Sequence, residues 1–428
     1  MRTGQLTRLR TAGALALVAS IALTGCGRDD ESGTDDAKSD KVGAGKASGD
    51  ITVWALGAEG DKLGEIAADF EADNPKSKVN ITVIPFDAAH NKIATAIAGN
   101  KTPDVSLVGS TWVSEFAASG ALDPTPTDLI DSSAFFEGAW GTTDVDGTSF
   151  GVPWYTETRQ IYYRKDLAEK AGVTPGDDWN WDEFKAFTKA MQTEGGAKWG
   201  ISLQPGGQGS WQTYMPFAWQ QGAELVEGEE FTFNTPPMQE ALDFYASFFT
   251  EKISPTDLAE GGLETGFING DIGSFVSGPW HMGILRDQGG PEFEDKWAIA
   301  GMPTEEAGTS FAGGGDLVVF KDSKNRDTAW KFVDFLTQEP QQLKLYELVG
   351  SLPAVESTWE SGELSTDPLL KSFGDQLQDA KSSPAIATWE EVAAPLDDAI
   401  EQVSLGESDP ETALATAEEK ANAIGFGG

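Results

Sequence analysis

The chain has 428 residues, room for about two domains, and carries 69 acidic against 30 basic residues, a formal net charge of −39. That surplus excludes nucleic acid and anionic lipid as direct ligands, because both need basic patches. One cysteine in the whole chain excludes an internal disulfide and a cysteine metal cluster.

The N-terminus reads as an export signal. Arg2, Arg8 and Arg10 form a positive region, and residues 12–23 form an apolar run short for a bilayer span. Leu23-Thr24-Gly25-Cys26 resembles the lipobox of bacterial lipoproteins. That resemblance implies lipid on the Cys26 sulfur, with Cys26 as the mature N-terminus; the alternative is a plain secretory signal with a stray cysteine. Residues 26–49, rich in Gly, Ser, Asp and Lys, read as a flexible tether. No later segment has eighteen unbroken apolar residues.

Residues 50–54 read as a first strand, 57–60 as a loop, and 62–71 as an amphipathic helix with Leu63, Ile66, Ala67 and Phe70 on one face. Strands are expected at 79–86 and 105–108, and helices at 88–98 and 112–119. Such alternation implies a parallel or mixed sheet wrapped by helices, with ligands in the loops beyond the strand ends. Those loops are 55–60, 87–91 and 109–112.

Residues 151–167, GVPWYTETRQIYYRKDL, read as a strand with a helix behind it, crossing between two lobes. A helix follows at 183–193, capped by Asn180 or Asp182. Beyond it come a strand at 201–203, a flexible glycine loop at 206–210 and the aromatic segment 211–221. Helices are expected at 238–250 and 263–269, and a strand at 271–275. Residues 296–301 cross back. Gly313-Gly314-Gly315-Asp316 precede a strand at 317–320, then a helix at 326–337. The tail holds four more helices, at 341–349, 369–380, 389–405 and 410–424.

Several strings, in order, resemble the family 1 extracellular solute-binding proteins of sugar-importing ABC transporters. They are Ile-Thr-Val-Trp at 51–54, Thr-Pro-Asp-Val at 102–105, Gly-Val-Pro-Trp-Tyr-Thr-Glu-Thr at 151–158, Phe-Ile-Asn-Gly-Asp-Ile-Gly at 267–273, Gly-Pro-Trp at 278–280, and the glycine strand before the Trp330 helix. The resemblance implies an α/β, two-lobed periplasmic-binding-protein type II fold with a hinge and an interlobe ligand cleft. Its lobes would be 50–153 plus 302–337 and 154–301 plus 338–428. It implies ligand contacts from Glu59, Ser110, Thr111, Trp112, Trp154, Tyr155, Glu157, Trp211, Trp219, Trp280, Gly314, Gly315, Asp316 and Trp389. It implies no catalysis and no cofactor. The partners would be a carbohydrate, an ABC permease and a membrane reached through the lipid anchor alone; the chain would act as a monomer.

The residue types suit a sugar: a pyranose stacks its apolar face on an indole and offers hydroxyls to carboxylates. For each tryptophan the competing reading is core packing, and Trp54, Trp199, Trp297 and Trp330 are assigned to it. The ligand is expected to be a disaccharide or short α-glucoside, with β-linked oligosaccharides open. Two other functions compete. A secreted glycosidase needs facing carboxylates, and Asp144/Asp146 or Glu390/Glu391 are chance candidates. A receptor for a polyol, peptide or sugar phosphate is the other; a phosphate would call for cationic side chains, and the proposed loops offer Arg159 alone. His90 and His281 are too far apart in sequence to suggest a metal or Ser-His-Asp site.

Overall fold

The computed structural model describes residues 41–176, 178–259 and 261–427, so the export signal and Cys26 lie outside the described residues. Its first units alternate strand and helix as the periodicity predicts: β1 (Ile51–Leu56), α1 (Gly57–Asp73), β2 (Val79–Ile84), α2 (Phe86–Ala98), β3 (Val105–Gly109) and α3 (Val113–Ala118). β1 pairs in parallel with both β2 and β3. Leu63, Ile66, Ala67 and Phe70 of α1 are buried. The loop expected at 57–60 is instead the first turn of α1.

The chain then runs β4 (Val152–Thr158), β5 (Gln160–Arg164), α4 (Lys165–Ala171), α5 (Trp181–Thr193), α6 (Trp211–Gln220), α7 (Pro236–Thr250) and α8 (Gly262–Asn269). Asn180, one of the two expected caps, caps α5: its Oδ1 accepts from Glu183 N–H, and the Glu183 carboxylate accepts from Asn180 N–H. Residues 201–203 form no strand, only an isolated bridge from Ser202 to Phe275. Next come β6 (Ser274–Ser277), α9 (Trp280–Gly289), β7 (Trp297–Ala300) and β8 (Ser310–Val319). α9 was missed in the sequence because Gly283 and Gly289 interrupt its apolar period. β8 starts seven residues earlier than expected, because Gly313–Gly315 read locally as a loop.

The tail supplies α10 (Arg326–Leu336), α11 (Glu339–Val349), β9 (Leu352–Pro353), α12 (Pro368–Leu377), β10 (Ala380–Lys381), α13 (Trp389–Ser404) and α14 (Pro410–Ile424).

Two sheets organise these elements. The larger has the order β9-β4-β8-β3-β1-β2, with β10 paired to β8; the smaller is β6-β5-β7, antiparallel throughout. Consecutive strands β4 and β5 thus belong to different sheets, with Arg159 alone between them. The larger sheet carries a core with Phe70, Trp154, Trp330 and Phe332. That core also takes in Leu345 and Val355, and Lys344 of α11 bonds Asp69 of α1 at 2.6 Å. The segment 338–355 thus packs on the first core through Leu345 and Val355 and on the core of the smaller sheet through Leu343, Tyr346 and Leu352. A second core gathers α5, α6, α7, α13 and α14 around Trp181, Tyr214, Tyr245 and Trp389. A third packs Tyr162 flat on Phe275, centroids 4.9 Å apart, beside Trp297.

Residues 41–49, expected to be loose tether, are fastened to the first core. Ala47 is buried, Ser48 exchanges two hydrogen bonds with Thr328 Oγ1, and Gly43 N–H donates to Asp327. No helix among the described residues is long and apolar enough to cross a membrane.

Candidate functional site

The site grows from the junction of the two sheets. β4 runs antiparallel to β8, aligning Thr156 with Gly314 and Glu157 with Gly313. Gly314 sits at φ +133°, and a Cβ there would lie 2.2 Å from the Tyr155 carbonyl oxygen, so only glycine fits. The register shifts at Gly315/Asp316, a β-bulge. A side chain at Gly315 would strike the Tyr155 ring.

Around Tyr155 the expected residues converge. Burial pushes its phenol well above the ordinary value, and the nearby carboxylates of Glu59, Glu157 and Asp316 push it further. Glu59, in the first turn of α1, accepts from Ser351 Oγ at 2.6 Å. Asp316 is buried beneath the sheet rather than offered to a ligand. It is 1% exposed, Thr142 Oγ1 donates to it at 3.0 Å, and burial raises its carboxyl to about 7.

Glu157 forms an ion pair with Arg159, Nη1 to Oε1 at 3.0 Å. Arg159 Nη2 donates to Gln212 Oε1 at 2.8 Å. The Arg159 guanidinium lies 4.7 Å from the ring centroid of Trp280. Trp280 begins α9 and is 42% exposed. Trp280, Arg159 and Gln212 line a cleft of about 720 Å³ with Gln204, Asp257 and Leu263. Trp280 also walls a neighbouring cavity of about 500 Å³, with Arg286, Tyr346 and Gly350 across it. Such volumes suit small ligands.

The other expected tryptophans are placed differently. Trp154 is fully buried, and Trp211, Trp219 and Trp389 are each at most 3% exposed. Trp211 packs edge-on against Trp389 at 5.0 Å and against Phe311 at 5.3 Å. These four rings are core rings in this structure, a correction to the expectation that they stack on ligand; Trp211 and Trp389 are covered by each other and by Phe311, partners distant in sequence. Ser110 and Thr111 stay partly open in a 3-10 turn after β3, whereas Trp112 is 9% exposed and packs between Phe86 and His90.

Gln212, Phe311 and Ser351 are not legible as site residues in the sequence, and Arg159 stands out there only as the lone cation of the proposed loops. No group of His, Cys, Asp and Glu among the described residues is arranged to hold a metal. Asp144 Oδ1 is used in its own hairpin turn, accepting from Gly147 N–H, and Glu390 and Glu391 lie in the first turn of α13; neither pair lines the Trp280 cleft. The cleft therefore offers acceptors, donors and one open indole.

Comparison with known proteins agrees in family and fold. The chain is 31% identical to the sugar-binding protein MalE from Xanthomonas citri, with TM-score 0.81, covering 88% of this chain and 97% of that one. It is 26% identical to the GacH receptor of Streptomyces glaucescens, TM-score 0.75, over 88% and 98% of the two chains. The diacetylchitobiose binding protein DasA of Streptomyces coelicolor is 26% identical over 86% of this chain and 87% of its own. The fold is accordingly the two-lobed α/β architecture of those binding proteins. Residues 54–343 match the family model described as bacterial extracellular solute-binding protein, and the chain belongs to that family.

Proposed function

We propose that the protein is the extracytoplasmic substrate-binding lipoprotein of an ABC importer. It binds a disaccharide or short oligosaccharide, an α-glucoside by preference, and delivers it unaltered to a permease. The observation that carries the reading is the open Trp280 ring beside the Glu157–Arg159–Gln212 network. A pyranose face of roughly 60 Å² laid on that ring is worth about 1.5 kcal/mol at about 25 cal/mol per Å². Hydrogen bonds from sugar hydroxyls to charged groups contribute about 1.5–3 kcal/mol gross each. The relatives support the ligand class, since they include binding proteins for diacetylchitobiose, lactose and maltotriose.

In this reading the lobes part at Arg159 and between β7 and β8, and a sugar touching both shifts the population towards the closed form. Cys26 carries the lipid, and the protein works as a monomer at the outer face of the cell membrane. A thermal-shift panel of α- and β-linked mono-, di- and oligosaccharides, followed by calorimetry on the hits, tests the ligand class. Binding of a sugar without product release supports the reading. Sustained hydrolysis, or no stabilisation by any sugar, overturns it. Loss of membrane retention in Cys26→Ala tests the anchor.

A further inference from the structure

Arg159 occupies a position that serves both lobes at once. It is the one residue between β4 of the larger sheet and β5 of the smaller. Its carbonyl accepts from Ser310 Oγ at 2.9 Å, so the side chain of the first residue of β8 is tied to the crossing at this point. Although it carries a full charge, it is only 7% exposed. The guanidinium spends one terminal nitrogen on Glu157 and the other on Gln212, while its plane meets the Trp280 ring at 4.7 Å and the Phe311 ring at 5.1 Å.

The Trp280 ring needs such a support. It is a large aromatic side chain exposed at the start of a helix, and an unheld indole there would sample several rotamers. Two contacts fix it. Gly278 lets the ring lie against the backbone, since a Cβ at 278 would be 1.9 Å from Trp280 Cζ3. The cation–π contact with Arg159 holds it from the protein side, Arg159 being itself buried, which leaves the exposed part of the ring for a ligand. The same guanidinium fixes the Glu157 carboxylate through a charged hydrogen bond. Lysine cannot replace it, because an ammonium has no planar fork to serve Glu157, Gln212 and a ring face together.

We infer that Arg159 is a positioning residue for sugar binding: it sets the Trp280 ring and the Glu157 carboxylate in one geometry at the hinge. The inference rests on the sugar-receptor reading, but its mechanical part is testable without any sugar. In protein labelled with 5-fluorotryptophan, the fluorine resonance that disappears in Trp280→Phe identifies Trp280. In Arg159→Met, which keeps the stem and drops the fork, that resonance should broaden into exchange between rotamers. Affinity for the sugar found in the panel should fall at least tenfold in Arg159→Met and also in Arg159→Lys. In a Trp280→Ala background the same Arg159→Met change should cost less than half as much in log Kd, since the ring it positions is gone.

Circular dichroism and the melting curve establish that each variant is folded; should Arg159→Met not fold, Arg159→Lys and Gln212→Ala carry the same measurements. A sharp, single Trp280 resonance in Arg159→Met overturns the inference. So does unchanged affinity, or an equal loss with and without Trp280. If no sugar binds the unaltered protein, the receptor reading fails, while the fluorine spectrum still decides whether Arg159 holds the ring.

Discussion

Asp397 and Trp211 are 186 residues apart, yet the Asp397 carboxylate accepts the Trp211 backbone N–H at 2.8 Å. The same carboxylate accepts from Gly209 N–H and from Ser210 Oγ, each at 2.8 Å. One buried acid on α13 thus closes the turn that starts α6, and that turn supplies Gly209 and Gln212 to the Trp280 cleft. Burial pushes the Asp397 carboxyl up, and the three donors pull against it.

The first prediction concerns this anchor. Asp397→Ala strands three donors and should cost roughly 3 kcal/mol of stability, read as a lower urea midpoint. Sugar affinity should fall as well, because Gln212 loses its base. Asp397→Asn keeps an acceptor and should cost about half as much.

A second prediction separates the ligand ring from the core rings. Trp280→Ala should weaken sugar binding by ten- to a hundredfold with little change in melting temperature, as loss of an exposed anchor does. Glu157→Gln should weaken binding comparably. Trp211→Phe should do the reverse: it shrinks a buried ring and should cost about 1–3 kcal/mol of stability, with affinity within threefold of the starting value. Calorimetry and thermal melts on the same preparations distinguish the two patterns.

A third prediction follows from Asp316 and His90. Asp316 has its carboxyl raised by burial to about 7 from 3.8. The native state therefore keeps a proton that the unfolded chain releases, and stability from this group falls as pH rises from about 4 to about 7. The full effect is about 4 kcal/mol by linkage. His90 is raised by its hydrogen bond to Glu115, Nε2 to Oε2 at 2.7 Å. Its contribution is complete below 6.5 and is lost as pH climbs through the folded value. Both groups act in one direction between pH 5 and pH 8, against the buried His281, whose lowered pKa adds stability as pH rises through 6.5. Asp316→Asn should flatten the lower part of that decline, and His90→Gln the upper part, in urea titrations run across pH.

A fourth prediction is local. Asn180→Ala removes the side-chain half of the capping box at α5, the acceptor of Glu183 N–H, and leaves the backbone N–H of residue 180 to the Glu183 carboxylate; it should cost about 1 kcal/mol. Asn180→Asp should be nearly neutral.

Much of this molecule was legible in the sequence because the signals are short-ranged. The apolar face of α1, the Asn180 cap, and the tail helices α11 through α14 depend on residues three or four apart. The crossing at 151–167 was legible for the same reason, although it is two strands of different sheets parted at Arg159 rather than one. Local reading failed where neighbours in space overrode neighbours in sequence. Three glycines that look like a loop form the middle of β8, because β3 and β4 pair with it on either side. Residues 41–49 look like tether but bond to Thr328 and Asp327, some 280 positions away.

The tryptophans divide along the same line. Their number and their places beside loops came from the sequence alone, and so did the expectation that some of them meet a ligand. Which ones are covered was decided only by the tertiary structure: Trp211 and Trp389 close over each other, Trp154 sinks under the larger sheet, and Trp280 stays open against Arg159. Burial is a property of what lies across a gap, and no stretch of sequence contains the far side of its own gap.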